Sequence, residues 1–276
     1  MTAGMWIKRG LLHLVLLLGV AISIFPFYWL FVMASNTTGD IFKYPPKLTI
    51  GSQLLVNMRA MLDAIDFWGS FLNSLFIAVV TAVLVVFFDS LAAFVFAKFD
   101  FPGKKVLFVI LLATFMVPAQ LSVVPQFVIM AHLGWVGSFK SLIIPAMVNA
   151  YGIFLARQYA EGAISSDLLE AGRIDGAGFF RLYWNVAVPV LRPIMAFLGI
   201  FTFIAMWNDY LWPLIVMTNP QKLTLQVALA QLNGLYATDY SMVMAGTLLA
   251  AVPLIIVFLF GARQFIADLA AGAIKG

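Results

Sequence analysis

Residues 11–34 form a run of 24 positions without a Lys, Arg, Asp or Glu. Hydrocarbon about 30 Å thick is crossed by about 20 apolar residues in a helix, the one single-segment structure that satisfies all its own backbone donors and acceptors. Five further runs read as spans: 71–97, 106–131, 135–156, 193–218 and 242–262. Lys140 lies inside the fourth and can snorkel to the interface along its own stem. Composition agrees, with 63% of the residues hydrophobic and 10% charged, against roughly 25% charged in a soluble domain. The expected fold is all-α: one membrane domain, residues 1–276, with six transmembrane helices.

The charges orient it. With the N-terminus inside, six spans place Lys8, Arg9, Lys98, Lys104, Lys105, Arg157, Arg173, Arg181, Arg192, Arg263 and Lys275 on the inner side. Lys43, Lys47, Arg59, Lys140 and Lys222 fall outside. That excess follows the positive-inside rule and puts both termini in the cytoplasm of a multi-pass plasma-membrane protein. The net charge of +4 is accounted for by this bias and by attraction to anionic membrane lipid, with no need for nucleic acid. The first run outlasts a signal-peptide core of about 7 to 15 residues, and no small-residue cleavage site follows in "MASNTTGD", so it is expected to stay as an anchor. With zero cysteines and two distant histidines, His13 and His132, no metal centre is expected.

Three hydrophilic segments interrupt the runs. In 35–70, Leu54, Leu55, Met58, Met61, Leu62 and Ile65 recur at helical spacing and predict a short helix at the outer interface. The other two, 157–192 and the tail 263–276, face inward. Pro26, Pro118, Pro125, Pro145, Pro213 and Pro253 sit inside spans, where each removes a backbone donor and tends to kink its helix. Such kinks can be tolerated individually; five kinked spans together suggest a cavity or a moving pathway.

Two carboxylates lie at membrane depth, Asp89 in the second run and Asp209 in "WNDYLWP" of the fifth. Each costs a few kcal/mol there, so each is expected to face protein or water. Asp209, with Asn208, Trp207 and Tyr210, is a possible pathway lining, and Asp89 a buried structural group. Trp207, Tyr210 and Trp212 suit either stacking on a sugar face or anchoring at the membrane interface.

The inner segment carries "SSDLLEAGRIDGAG". Asp167, with Glu170 three residues on, has the spacing of a capping box, and Gly176 and Gly178 stop or bend the helix. Leu168, Ala171 and Ile174 share one stripe, with Ala171 and Gly172 small enough for close approach. A second short helix follows in "FFRLYWNVAVP". Physically, this hairpin either docks on another protein or packs on its own bundle.

The same residues resemble the signature loop of binding-protein-dependent ABC importer permeases: Glu-Ala-Ala, three residues, Gly, nine residues, Ile, one residue, Leu-Pro. Here Glu170-Ala171-Gly172, Gly176, Val186 and Val188-Pro189 keep that spacing. "FPGKK", "YGIFLARQY", "RIDGA", "WNDYLWPLIV" and the terminal "GAIKG" are similar to the carbohydrate-uptake branch, in particular the six-span subunit of maltose and glycerol-3-phosphate type systems. That resemblance implies a type I importer fold whose loop, through Glu170, Ala171, Gly172, Asp175, Gly176 and Ala177, docks on a cytoplasmic ATPase. The tail, through Lys275 and Gly276, would touch the ATPase pair. Expected partners are a second related permease subunit, two ATPase subunits and an external solute-binding protein, in a bacterial or archaeal inner membrane.

This chain holds no G-x-x-x-x-G-K-[ST] phosphate loop. ATP and Mg²⁺ are therefore expected on the partners, with no cofactor and no catalytic residue here. An ion-gradient-driven secondary transporter is the alternative: Asp209 could hold a coupling ion, but internal repeats are not evident and the inner loop would go unexplained. An intramembrane enzyme would need a nucleophile–base pair or a metal pair, and neither histidine lies in such a motif.

Overall fold

The computed structural model describes residues 3–234 and 238–273, with side chains described over 8–234 and 238–261. Among the described residues all regular structure is helical. In chain order the helices are α1 (Ala3–Ser35), α2 (Thr38–Ile41), α3 (Leu54–Ala64), α4 (Phe67–Lys98), α5 (Lys104–Phe115) and α6 (Val123–His132). Then follow α7 (Lys140–Ala146), α8 (Ala150–Ala163), α9 (Ser166–Ile174), α10 (Phe179–Leu182), α11 (Val188–Asn208), α12 (Leu211–Val216), α13 (Leu225–Ala230) and α14 (Tyr240–Ala273). A 3₁₀ turn, Ala119–Ser122, precedes α6, and a π-helical turn, Tyr183–Ala187, joins α10 to α11.

Among the described residues, four helical stretches are long and apolar enough to span a bilayer: Lys8–Ser35, Phe67–Lys98, Phe179–Asn208 and Tyr240–Gly261. The third expected span is Lys104–Phe115 followed by Ala119–His132, bent by 92°. Pro118, with ψ 128°, cannot continue α5 and forces the turn. Residues 135–156 hold two shorter helices instead of one, because the Asn149 side chain accepts from the N–H groups of Tyr151 and Gly152 and starts α8 afresh. Pro26, Pro145 and Pro253, by contrast, lie inside continuous helices.

The chain forms two compact units, residues 1–67 with 228–252, and residues 68–227 with 253–276. In the first, the end of α1 is tied down by amides. Asn36 Nδ2 donates to Val32 O and Thr49 O, and Asn57 Nδ2, from α3, to Ala34 O and Asn36 O at 2.8 and 2.9 Å. The outer-segment helix is therefore present as expected, but its buried face is Asn57 and Met61, with Leu55 turned outward. Hydrogen bonding to α1 outweighs the apolar pattern there. From Lys8 to Tyr28, α1 is exposed on every side.

In the second unit, α4 lies among two clusters that position the hairpin 165–182 and the start of α8. Phe94, Ala160, Ile164, Leu169, Leu182, Tyr183, Ala187 and Leu191 form one buried cluster. Ala93, Ala156 and Leu198 form another. Asp89, fully buried, accepts from Asn149 N through Oδ1 at 3.0 Å, and Gly152 stands where a Cβ would collide with Oδ2. The carboxylate thus fastens the first turn of α8.

Candidate functional site

The hairpin 165–182 begins where Ile164, buried at the end of α8, gives way to Ser165. Ser165 Oγ accepts from Leu168 N at 3.2 Å, so the N-cap of α9 is Ser165 and not Asp167. Asp167 lies inside the first turn, where a carboxylate favours the positive end of the helix dipole. Two serines precede Asp167, and the earlier one has the extended backbone, ψ 149°, that a cap requires.

The helix closes with paired hydrogen bonds. Gly176 N donates to Arg173 O at 3.0 Å and Ala177 N to Gly172 O at 2.9 Å, with Gly176 at φ +77°. This is a Schellman turn, and its left-handed position is what requires glycine. Gly178 has an ordinary φ of −71° and leads into α10. Leu169, Leu182 and Tyr183 pin the hairpin to the bundle, and Phe179 packs its ring 5.3 Å from Phe99 and 5.9 Å from Phe94. The Tyr183 and Ser90 hydroxyls are hydrogen-bonded at 2.8 Å. Gly172 backs onto α10, where an added Cβ would come within 2.6 Å of Leu182 Cδ2.

Its outward surface is the remainder. Leu168, Ala171 and Ile174, the expected stripe, all face away from the bundle, Ile174 at 86% exposure. Beside them Glu170, Asp175 and Gly176 are exposed, as is Phe180 on α10 at 66%. The exposed face is thus an apolar stripe flanked by two carboxylates on a turn closed by backbone hydrogen bonds. Lys275 and Gly276 lie outside the described residues.

The four residues proposed for a pathway separate. Trp207 is fully buried, stacked on Phe203 at 5.8 Å and edge-on to Phe71 at 5.3 Å. Asn208 is exposed and bonds back to Ile204 O, and Tyr210 is exposed. Asp209 ends α11 in an extended conformation, ψ 124°, and lines a cavity of about 280 Å³ together with Gln126, Trp212 and Thr224. Gln126, inside an apolar run, and Thr224, between two leucines, carry no charge or spacing that marks either as a site in the sequence.

With this arrangement in view, residues 63–265 match the family described as "Binding-protein-dependent transport system inner membrane component", and the chain belongs to that family. It is a membrane-spanning transport subunit and not an enzyme. Among its relatives, the arabinooligosaccharides transport system permease protein AraQ of Halalkalibacterium halodurans is 33% identical, covering 84% of this chain and 81% of the relative. The lactose transport system permease protein LacG of Rhizobium radiobacter is 33% identical over 91% of each. The sn-glycerol-3-phosphate transport system permease protein UgpE of Salmonella typhi is 33% identical over 95% of this chain and 97% of its own. The same fold occurs in the crystal structure of a bacterial ABC transporter involved in the import of the acidic polysaccharide alginate. That match has a TM-score of 0.82 at 23% identity and covers 96% of this chain and 99% of the other.

Proposed function

We propose that this chain is the permease subunit of an ATP-driven importer for a carbohydrate or a related small solute, coupled to a separate ATPase through the Glu170 hairpin. The observation that carries the coupling is the outward face of α9: Leu168, Ala171 and Ile174 exposed beside Glu170, on a turn held by Gly176. A soluble partner fits such a face, because apolar side chains standing free on an otherwise anchored helix gain by leaving water.

In this reading the chain pairs with a second, related permease. The exposed length of α1 is available to it or to lipid. Two ATPase subunits hold ATP and Mg²⁺, and a solute-binding protein delivers cargo from outside. Closure of the ATPases moves α9, and Leu169, Leu182 and Tyr183 carry that motion into the α4–α11 packing, switching the spans between inward-open and outward-open. Both termini lie in the cytoplasm, the tail through Lys275 and Gly276 reaching the ATPase pair, and the transmembrane domain has six crossings.

Co-purification of the tagged chain from its native membrane tests this, with Glu170→Lys alongside. The expected result is an ATPase and a second permease with the wild type, and loss of the ATPase alone from the variant. Retention of the ATPase by Glu170→Lys at wild-type yield would overturn the coupling role.

A further inference from the structure

The cavity beside Asp209 has a more specific content. Three helix interruptions border it: the step from α11 to α12 at Asp209, the 3₁₀ turn that follows the 92° bend, at Ala119, and the end of α7 at Ala146. Irregular backbone at membrane depth is tolerated where it lines a water-filled or ligand-filled space. Thr224 is 5% exposed, borders the cavity, and its buried Oγ1 has no hydrogen-bond partner. A buried hydroxyl without a partner costs free energy unless something in the cavity bonds it. The Asp209 carboxylate, half-buried in the cavity wall, has two oxygens with lone pairs to spare. Among the described lining residues there is no Lys, Arg or His.

We propose that this cavity is a transit subsite for a neutral, hydroxyl-rich solute, a sugar unit, and that it disfavours anionic solutes. Asp209 accepts from solute hydroxyls, Thr224 and Gln126 exchange hydrogen bonds with them, and Trp212 supplies an apolar wall. About 280 Å³ falls just below the range of ligand pockets, roughly 300–1,000 Å³, which suits one sugar ring at a time. A phosphate or carboxylate entering here meets Asp209 with no compensating cation in a medium of low dielectric, where like charges repel strongly. This rests on the importer reading, and it separates the sugar-transporting possibilities from glycerol phosphate.

The absence of cysteine in the chain makes the test direct. In the intact importer, reconstituted in nanodiscs, Thr224→Cys is labelled with N-ethylmaleimide in each nucleotide state, with lactose or sn-glycerol 3-phosphate as competing probes. Labelling is expected in at least one state, slowed severalfold by lactose and not by glycerol 3-phosphate at equal concentration. Adding Asp209→Asn should let glycerol 3-phosphate slow it too. Equal protection by the anion in the Asp209 chain, no protection by lactose, or a thiol that never reacts would each overturn the subsite. Gln126→Cys serves where Thr224→Cys does not assemble. Failure of the wild-type chain to retain an ATPase would instead sink the importer reading, so the two failures are distinguishable.

Discussion

At the scale of single residues, two glycines are constrained for opposite reasons. Gly176 has open space around its Cα but a φ of +77°, so its requirement is purely conformational. Gly176→Ala should cost about 1–2 kcal/mol of hairpin stability and Gly176→Asn less, because Asn tolerates the left-handed region. Retained ATPase on co-purification should fall in the order Gly, Asn, Ala. Gly152 has ordinary φ but no room, because Asp89 Oδ2 stands where its Cβ would go. Gly152→Ala should lower the thermal midpoint in detergent sharply, and Asp89→Ala should partly restore it, a non-additivity that a double-mutant cycle measures. Just beyond α1, the Thr37 hydroxyl, aided by Lys43 and Lys47 and opposed by partial desolvation, holds the Asp40 carboxyl below the usual carboxylate range. A lowered folded-state pKa contributes stability above the ordinary carboxylate value and loses it as pH falls through the folded value. The acid limb of a pH–stability curve should therefore flatten in Asp40→Asn.

At the scale of elements, what decides each boundary is a side chain reaching for backbone. Ser165→Ala should cost α9 about 1 kcal/mol and raise hydrogen exchange over Leu168 and Leu169, whereas Asp167→Ala should do less. Much of the hairpin is legible in the sequence: the helix, the stop at Gly176 and the shared stripe of Leu168, Ala171 and Ile174 follow from residue type and spacing, whereas its outward direction is set by the packing of Leu169 and Leu182. The cap was misplaced, since Ser165 and Asp167 are both good caps and only the extended backbone at 165 tells them apart. The anchor Leu169 went unnamed because one buried leucine among several apolar neighbours has no periodic signature. Composition likewise identified apolar length but not its interruptions. Asn149 reads in sequence as one polar residue within an apolar run; in the fold its side chain caps α8 while its N–H is held by Asp89. The cavity at Asp209 was half visible: the carboxylate was evident, while Gln126 and Thr224 reach it from segments far apart in the chain.

At the scale of the whole molecule, the helices supply four unbroken spans and a bent pair, and the orientation argument rests on where the cations fall. A chain without cysteine lets one introduced thiol report its side of the membrane. Lys140→Cys should react with an impermeant maleimide in intact cells, and Gly162→Cys only in inverted vesicles. Labelling of both from one side would place α7 and α8 together without a crossing between them. The hairpin has a consequence at this scale too. Its cap, Ser165 to Leu168, and its closing bonds, Arg173 to Gly176 and Gly172 to Ala177, are all made between residues 165 and 177. The capped and closed form of α9 is thus set within thirteen consecutive positions, while its seat on the bundle depends on Leu169, Leu182 and Tyr183. A segment whose form is this local can be moved between related chains as a unit, provided the receiving bundle offers the same seat.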